Sequence, residues 1–283
     1  MRGRLRAAGE AIAAVLMAWL CIAPALASAD PVSPGPRVVS LDNCADEYVL
    51  GLMPADRIAA VSDRAATPDS YYADRARSFA RVHPTLESIL ALRPDAVVRT
   101  WAGDAKLLAA LQARGVRVID INDVSTYPQA RDELLRVGQL LGQPAQADAE
   151  ARAMMASLAG VRRIGEGKSV LYYTPSGYTA GPDTFIGEML RTLGYRLDTA
   201  DHGFPYLSPE VLLTSKPDVF AIGFYNDPFQ SRRAPGRSAL IRERIAERPH
   251  IELPLRMIAC SGWYTAYDLE TLSQTFALKG GTT

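Results

Sequence analysis

The residues of this 283-residue chain whose types could do chemistry are three histidines, three cysteines and a set of loop aromatics. His83, His202 and His250 lie far apart, and no His-Glu-x-x-His spacing offers a zinc hydrolase a helix to sit on. A P-loop, a Gly-x-Gly-x-x-Gly fingerprint and a Gly-x-Ser-x-Gly elbow are all missing; Ser176-Gly177 follows a strand-like run but lacks the preceding glycine of a nucleophile elbow. No catalytic residue, metal site or cofactor is assigned, and an extracytoplasmic hydrolase on an α/β scaffold stands as the rival reading. The aromatics suit binding instead. Trp101, Tyr178, Phe204, Tyr206, Tyr225, Trp263 and Tyr264 all fall in loop-like stretches, where an indole or phenol offers a large apolar face and one polar handle. Tyr173 closes a strand and reads equally as core, and at least one of Phe224, Tyr225 and Asn226 is expected to face a cleft.

Positioning these side chains requires a globule, and the composition provides one. The chain is 48% apolar and 22% charged, with 31 basic against 31 acidic side chains and no long run of either sign, which argues against nucleic acid as a partner. Arg2, Arg4 and Arg6 precede an apolar run from Ala11 to Ala25 and then the small residues through Ala29. That pattern reads as a signal peptide over residues 1–29, the mature chain starting at Ser28 or Asp30 in the periplasm or its equivalent; the run is shorter than the roughly 20 residues of a membrane-spanning helix. Cleavage removes Cys21 and leaves Cys44 and Cys260 in an oxidising space, either bonded and tying two parts of the chain together, or as two buried thiols. Without a Cys-x-x-Cys, a structural zinc site is not expected.

Organisation follows from an internal echo. Thr85-Leu86-Glu87 through Arg93-Pro94-Asp95 leads into Ala96-Val97-Val98, and Ser208-Pro209-Glu210 through Lys216-Pro217-Asp218 leads into Val219-Phe220-Ala221-Ile222. Each copy has a hydroxyl N-cap, Glu at the second helical position and a basic-Pro-Asp stop, so each is a short helix feeding a buried strand. Strand-like runs open the halves at Arg37–Leu41 and Lys168–Tyr173. Asp104 and Asp183 start further helices closed by Gly115 and Gly194, and the alternation predicts open parallel sheets. Pro144 to about Ile164 reads as one long helix joining the halves. The expected architecture is two open α/β lobes, residues 30–142 and 167–283, bridged by a helix over 143–166, with the ligand cleft between them.

On these residues the chain resembles a class III periplasmic substrate-binding protein, the family that feeds cobalamin, iron siderophores and haem to ABC importers. The likeness rests on Arg37–Leu41 with the Asn43–Leu52 helix, the two echoed segments, the bridging helix and the Trp263-Tyr264 loop, and it covers nearly all of the mature chain. It implies a monomer that holds a small-molecule ligand between lobes that close little, and that partners a permease dimer with its ATPase. Within the family the chain is similar to the cobalamin-binding type, whose cleft aromatics fall here near Arg81 to His83, Thr100-Trp101, Phe204 to Tyr206 and Trp263-Tyr264. Arg81 and His83 stand where that type has Trp, which suits an anionic planar ligand such as a ferric siderophore, haem or another carboxylated cofactor. The resemblance also implies that Glu87 and Glu210, one per lobe, pair with arginines of the permease. A sensor with the same cleft and no transport role would carry the same sequence features.

Overall fold

A computed structural model describes residues 35–225, 227, 231 and 233–278, so the expected signal peptide and Asn226 lie outside the described residues. Strands β1 (Val38–Ser40), β2 (Ile58–Ser62), β3 (Arg81–Val82), β4 (Ala96–Arg99) and β5 (Arg117–Asp120) form one parallel sheet in the order β3-β2-β1-β4-β5. A second parallel sheet, ordered β7-β6-β8-β9, contains β6 (Ser169–Tyr173), β7 (Arg196–Leu197), β8 (Val219–Ile222) and β9 (His250–Glu252). Helices α1 (Asn43–Leu52), α2 (Ala73–Ala76), α3 (Leu86–Ala91), α4 (Ala105–Gln112) and α5 (Tyr127–Leu140) belong with the first sheet. After α6 (Pro144–Gly160) come α7 (Phe185–Thr192), α8 (Pro209–Thr214), α9 (Ala239–Ala246), α10 (Leu255–Ile258) and α11 (Thr265–Leu278). Among the described residues no helix is long and apolar enough to cross a membrane.

The echoed segments are built as read, and their last residue has a function that the pattern did not disclose. Thr85 and Ser208 cap α3 and α8 by accepting from the Ser88 and Val211 amides. Each Pro-Asp then pins the first strand of its own lobe: Asp95 accepts from the Arg37 amide at 2.7 Å, and Asp218 accepts from the Ser169 amide at 2.7 Å and its hydroxyl at 2.9 Å. A buried strand start has no helix to satisfy its N–H, so a carboxylate from the neighbouring strand supplies the acceptor.

Both sheets are covered on two faces, and period-2 alternation sorts their side chains. Val39 and Val97 pack outward under α3 and α4, as do Leu171, Tyr173 and Phe220 under α8 and α9. Val38, Val98, Val170, Tyr172 and Ala221 point the other way into one apolar cluster that contains residues of both sheets and of α1, α5, α6, α7 and α11. The two lobes thus share a continuous core. Cys44 in α1 is bonded to Cys260 after α10, with Cα atoms 5.5 Å apart, which adds a covalent tie between them.

Two expectations need correcting. The bridging helix ends at Gly160 rather than near residue 164, because Val161 turns extended. Its 17 residues span about 25 Å, and it packs against α5 and α11. Helix α7 is capped by Thr184, whose hydroxyl accepts from the Gly187 amide at 3.0 Å, and not by Asp183. The Asp183 carboxylate accepts instead from the Gly203 amide at 2.8 Å, a bond that holds its pKa below the usual range.

Candidate functional site

In open parallel sheets the crevice lies beyond the carboxyl ends of the strands where the strand order reverses. Here that places it after β1 and β4 in the first lobe and after β6 and β8 in the second.

On the first wall, Asp42 caps α1 by accepting from the Ala45 amide through one oxygen. Its other oxygen accepts from the amides of Thr100, Trp101 and Ala102 at 2.8 to 3.1 Å. One buried carboxylate therefore fixes the loop after β4, and Trp101 projects from that loop with 60% of its surface exposed. Beside it, Asn43, Arg64 and Asp69 line a cavity of about 350 Å³ that also reaches Phe224, and Arg64 and Trp101 continue into a smaller one of about 150 Å³. Arg64 is ion-paired to Asp69, which is almost fully buried and also accepts from the Thr67 hydroxyl.

The second wall is a ribbon of paired loops. Thr174 accepts from the Tyr178 amide through its hydroxyl at 3.0 Å, and the turn it opens closes at Gly177, whose φ of +90° a side chain would resist. The Leu207 amide donates to the Gly177 carbonyl at 2.7 Å, the Thr179 amide donates to Pro205 at 3.1 Å, and Tyr178 and Tyr206 meet edge-on with centroids 5.9 Å apart. Behind this ribbon Tyr172, Ile186, Phe204, Phe224 and Ile258 line about 420 Å³, and among the described residues no charged group joins them. Phe224 has φ +62° at the end of β8 and borders both this chamber and the 350 Å³ cavity, so a left-handed backbone aims the ring that joins the two halves.

Of the side chains named from sequence, the structure brings Trp101, Tyr178 and Phe204 to the cleft, with Tyr206 packed against Tyr178 at its edge. The others lie elsewhere. Trp263 is fully buried: its indole stacks edge-on with Tyr48 at 4.8 Å and donates to Glu150 on α6 at 3.1 Å. Tyr264 is buried next to it, and its hydroxyl donates to the Cys260 carbonyl. Both are core residues because α11 begins immediately after them and draws the loop inward. Tyr225 turns back to the outer apolar cluster and donates to Gly236, while Arg81 is exposed on the edge strand β3. His83 is exposed and pairs with Asp63, as His202 does with Asp183 at 3.4 Å. Glu87 and Glu210 are exposed on their short helices. Sequence reasoning missed Asn43, Arg64 and Ile258; Arg64 was findable as the basic residue just beyond the carboxyl end of β2, had that strand been recognised. A larger depression of about 670 Å³ runs along β5 and α5, away from all of these residues.

Comparison with known proteins agrees with this geometry. A family model described as periplasmic binding protein matches residues 38–236. An uncharacterized ABC transporter substrate-binding lipoprotein, YvrC of Bacillus subtilis, is 25% identical over 200 residues, 65% of this chain and 62% of the relative. A cobalamin-binding protein of Halobacterium salinarum is 28% identical over 151 residues, 50% of this chain and 41% of that protein. These matches therefore span less than two thirds of the curated relatives' own lengths. The periplasmic heme-binding protein RhuT of Roseiflexus sp. RS-1 shares the fold with a TM-score of 0.65 at 23% identity, covering 86% of this chain and 98% of its own. With two parallel-sheet lobes, a cleft at their strand ends and a family match over most of its described residues, the chain belongs to the periplasmic binding protein family.

Proposed function

We propose that the protein is the extracytoplasmic solute-binding component of an ABC importer and carries one large, partly planar ligand of the cobalamin, ferric siderophore, haem or carboxylated-cofactor kind. The observation that carries this reading is the pairing of exposed Trp101 on one wall with exposed Tyr178 and Phe204 on the other, across cavities that meet at Phe224. Exposed rings on rigid loops bury a conjugated ligand at small conformational cost, and a small sugar would need a denser polar lining. The shared core and the disulfide between the lobes favour a cleft that changes little on binding. Glu87 and Glu210 at matching positions of α3 and α8 supply a two-fold pair of carboxylates for the permease dimer, and the protein acts as a monomer without catalytic activity of its own.

The test is a thermal-shift screen against cyanocobalamin, a ferric hydroxamate, haem and a carboxylated flavin. A ligand at a hundredfold excess over its Kd adds about 2.7 kcal/mol, and Trp101→Ala should abolish that gain. A response confined to small polar solutes, unchanged in the variant, overturns the reading. Glu87→Ala with Glu210→Ala should stop uptake while ligand affinity is kept, and normal uptake by the double variant removes the docking role.

A further inference from the structure

The bond that ties the lobes also borders the cleft, and its two halves are unequally placed. Cys44, the second residue of α1, is half-buried and lines the 350 Å³ cavity beside Trp101. Cys260 is 8% exposed and, among the described residues, joins the lining of neither that cavity nor its two neighbours. Leu255, which opens α10, and Ala259, one helical turn further on, line the same cavity as Cys44. A reagent that enters there meets Cys44 first.

Thiol–disulfide exchange needs an accessible sulfur to attack and a second sulfur able to leave with negative charge. The buried half of this bond has help for the second task. The Asn43 side-chain amide donates to Cys260 Sγ at 3.4 Å, a weak bond to a disulfide sulfur that strengthens as that sulfur becomes a thiolate. Breaking the bond also leaves the lobes together, because one apolar cluster contains residues of both sheets. The covalent tie can therefore be lost while the packed one is kept.

We infer that the Cys44–Cys260 bond is a thiol-exchange site addressed through the cleft, and that its partner is a dithiol small enough to enter the cavity. One thiolate of the dithiol attacks Cys44 Sγ, the Sγ–Sγ bond breaks, and Cys260 leaves as a thiolate that takes a proton from water. The second sulfur of the dithiol, as its thiolate, then attacks the first. A disulfide forms within the reductant, and Cys44 departs as a thiolate and is protonated in turn. Two electrons pass from the dithiol to the protein. Whatever fills the cavity closes this route, so the bond is cut in the empty protein and kept in the filled one. The assignment rests on the cavity beside Cys44 and not on which ligand the cleft carries.

The test follows reduction of the purified, oxidised, full-length mature protein by dithiothreitol in native buffer, with acid quenching, alkylation and mass spectrometry to count free thiols. Low urea, well below the unfolding transition, should leave the wild-type rate unchanged, since direct attack on the folded protein exposes no extra surface. Ala259→Phe, which fills the cavity, should slow reduction about tenfold, and Leu255→Trp offers the same obstruction should that variant fold poorly. Melting temperatures of the oxidised proteins check folding. A third arm needs neither variant: with Ellman's reagent, the Cys44 thiol of Cys260→Ser should react about tenfold faster than the Cys260 thiol of Cys44→Ser, both proteins lacking the bond equally. Unchanged reduction rates in the folded cavity-filling variants, acceleration of the wild type by low urea, or a Cys260 thiol that reacts as fast as Cys44 overturns the inference.

Discussion

The helices that follow the first strand of each lobe face the same cleft with different chemistry. Helix α1 starts at Asp42 and buries Asp46 and Glu47 in its first turn and a half, whereas α7 starts at Thr184 and buries Phe185, Ile186, Met189 and Leu190. In the first lobe a carboxylate just after β1 grips three amides of the Trp101 loop beyond the neighbouring β4; in the second, a hydroxyl and a ladder of loop-to-loop backbone bonds hold Tyr178. Internal similarity of the α3-β4 and α8-β8 segments therefore stops at the scaffold. Parallel strands impose equal geometry, but the loops beyond their carboxyl ends are free to diverge, and there one lobe became polar and the other apolar.

Separating the lobes gives the largest effect. Loop-closure arithmetic for a bond between residues 216 apart puts the disulfide at about 5 kcal/mol as an upper figure, so Cys44→Ala with Cys260→Ala should lower the denaturation midpoint strongly. Urea unfolding checks this, and a small shift would mean that the shared apolar core alone couples the lobes. Next, Trp263→Ala should cost about 3–5 kcal/mol because the indole is fully buried against Tyr48, while Trp101→Ala should change stability by less than about 0.5 kcal/mol and act only on ligand binding. Paired melting curves with and without ligand distinguish these roles.

The contrast between the walls predicts unequal costs for their pins. Asp42→Ala should cost about 2–3 kcal/mol, leaving several buried amides without acceptors, and Thr174→Val about 1 kcal/mol, since backbone bonds remain to hold its turn. Equal costs would erase the proposed difference between a charge-held and a ladder-held loop. A gentler test uses pH. Burial pushes the Glu47 carboxyl up to about 8, against the lowering effect of bonds from the Tyr71 amide, Ser70 and the Tyr72 amide, and pushes Asp46 up to about 6. The folded chain then holds these protons more tightly than the unfolded chain, so stability should fall as pH rises from the ordinary carboxyl range toward 8. Glu47→Gln should flatten that slope in urea titrations between pH 5 and 9.

Much of the scaffold was legible in order along the chain. Hydroxyl caps, the basic-Pro-Asp stops and the glycines after α4 and α7 are local signals, each set by a backbone group that lacks a partner within its own element, and so the alternation of strand and helix could be read directly. The aromatic wall was partly legible for the same reason: Trp101, Tyr178 and Phe204 follow turn-rich stretches.

Only the tertiary structure decided which loop residues face the cleft. Trp263 and Tyr264 have the composition of a binding loop, yet the start of α11 and the bond from Cys260 to Cys44 carry them into the core, where Glu150 from another helix meets the indole. Arg64 shows the converse, a residue with no local signature that gains its place because β2 lies next to β1, so that the loop after it shares a cavity with Trp101. The sequence by itself determined the echoed helix–strand segments, the alternation of strand and helix around them and the two-lobed scaffold, since those follow from periodicity and capping between near neighbours. The polarity of the two walls depends on side chains brought together from distant positions, and packing across the cleft set it.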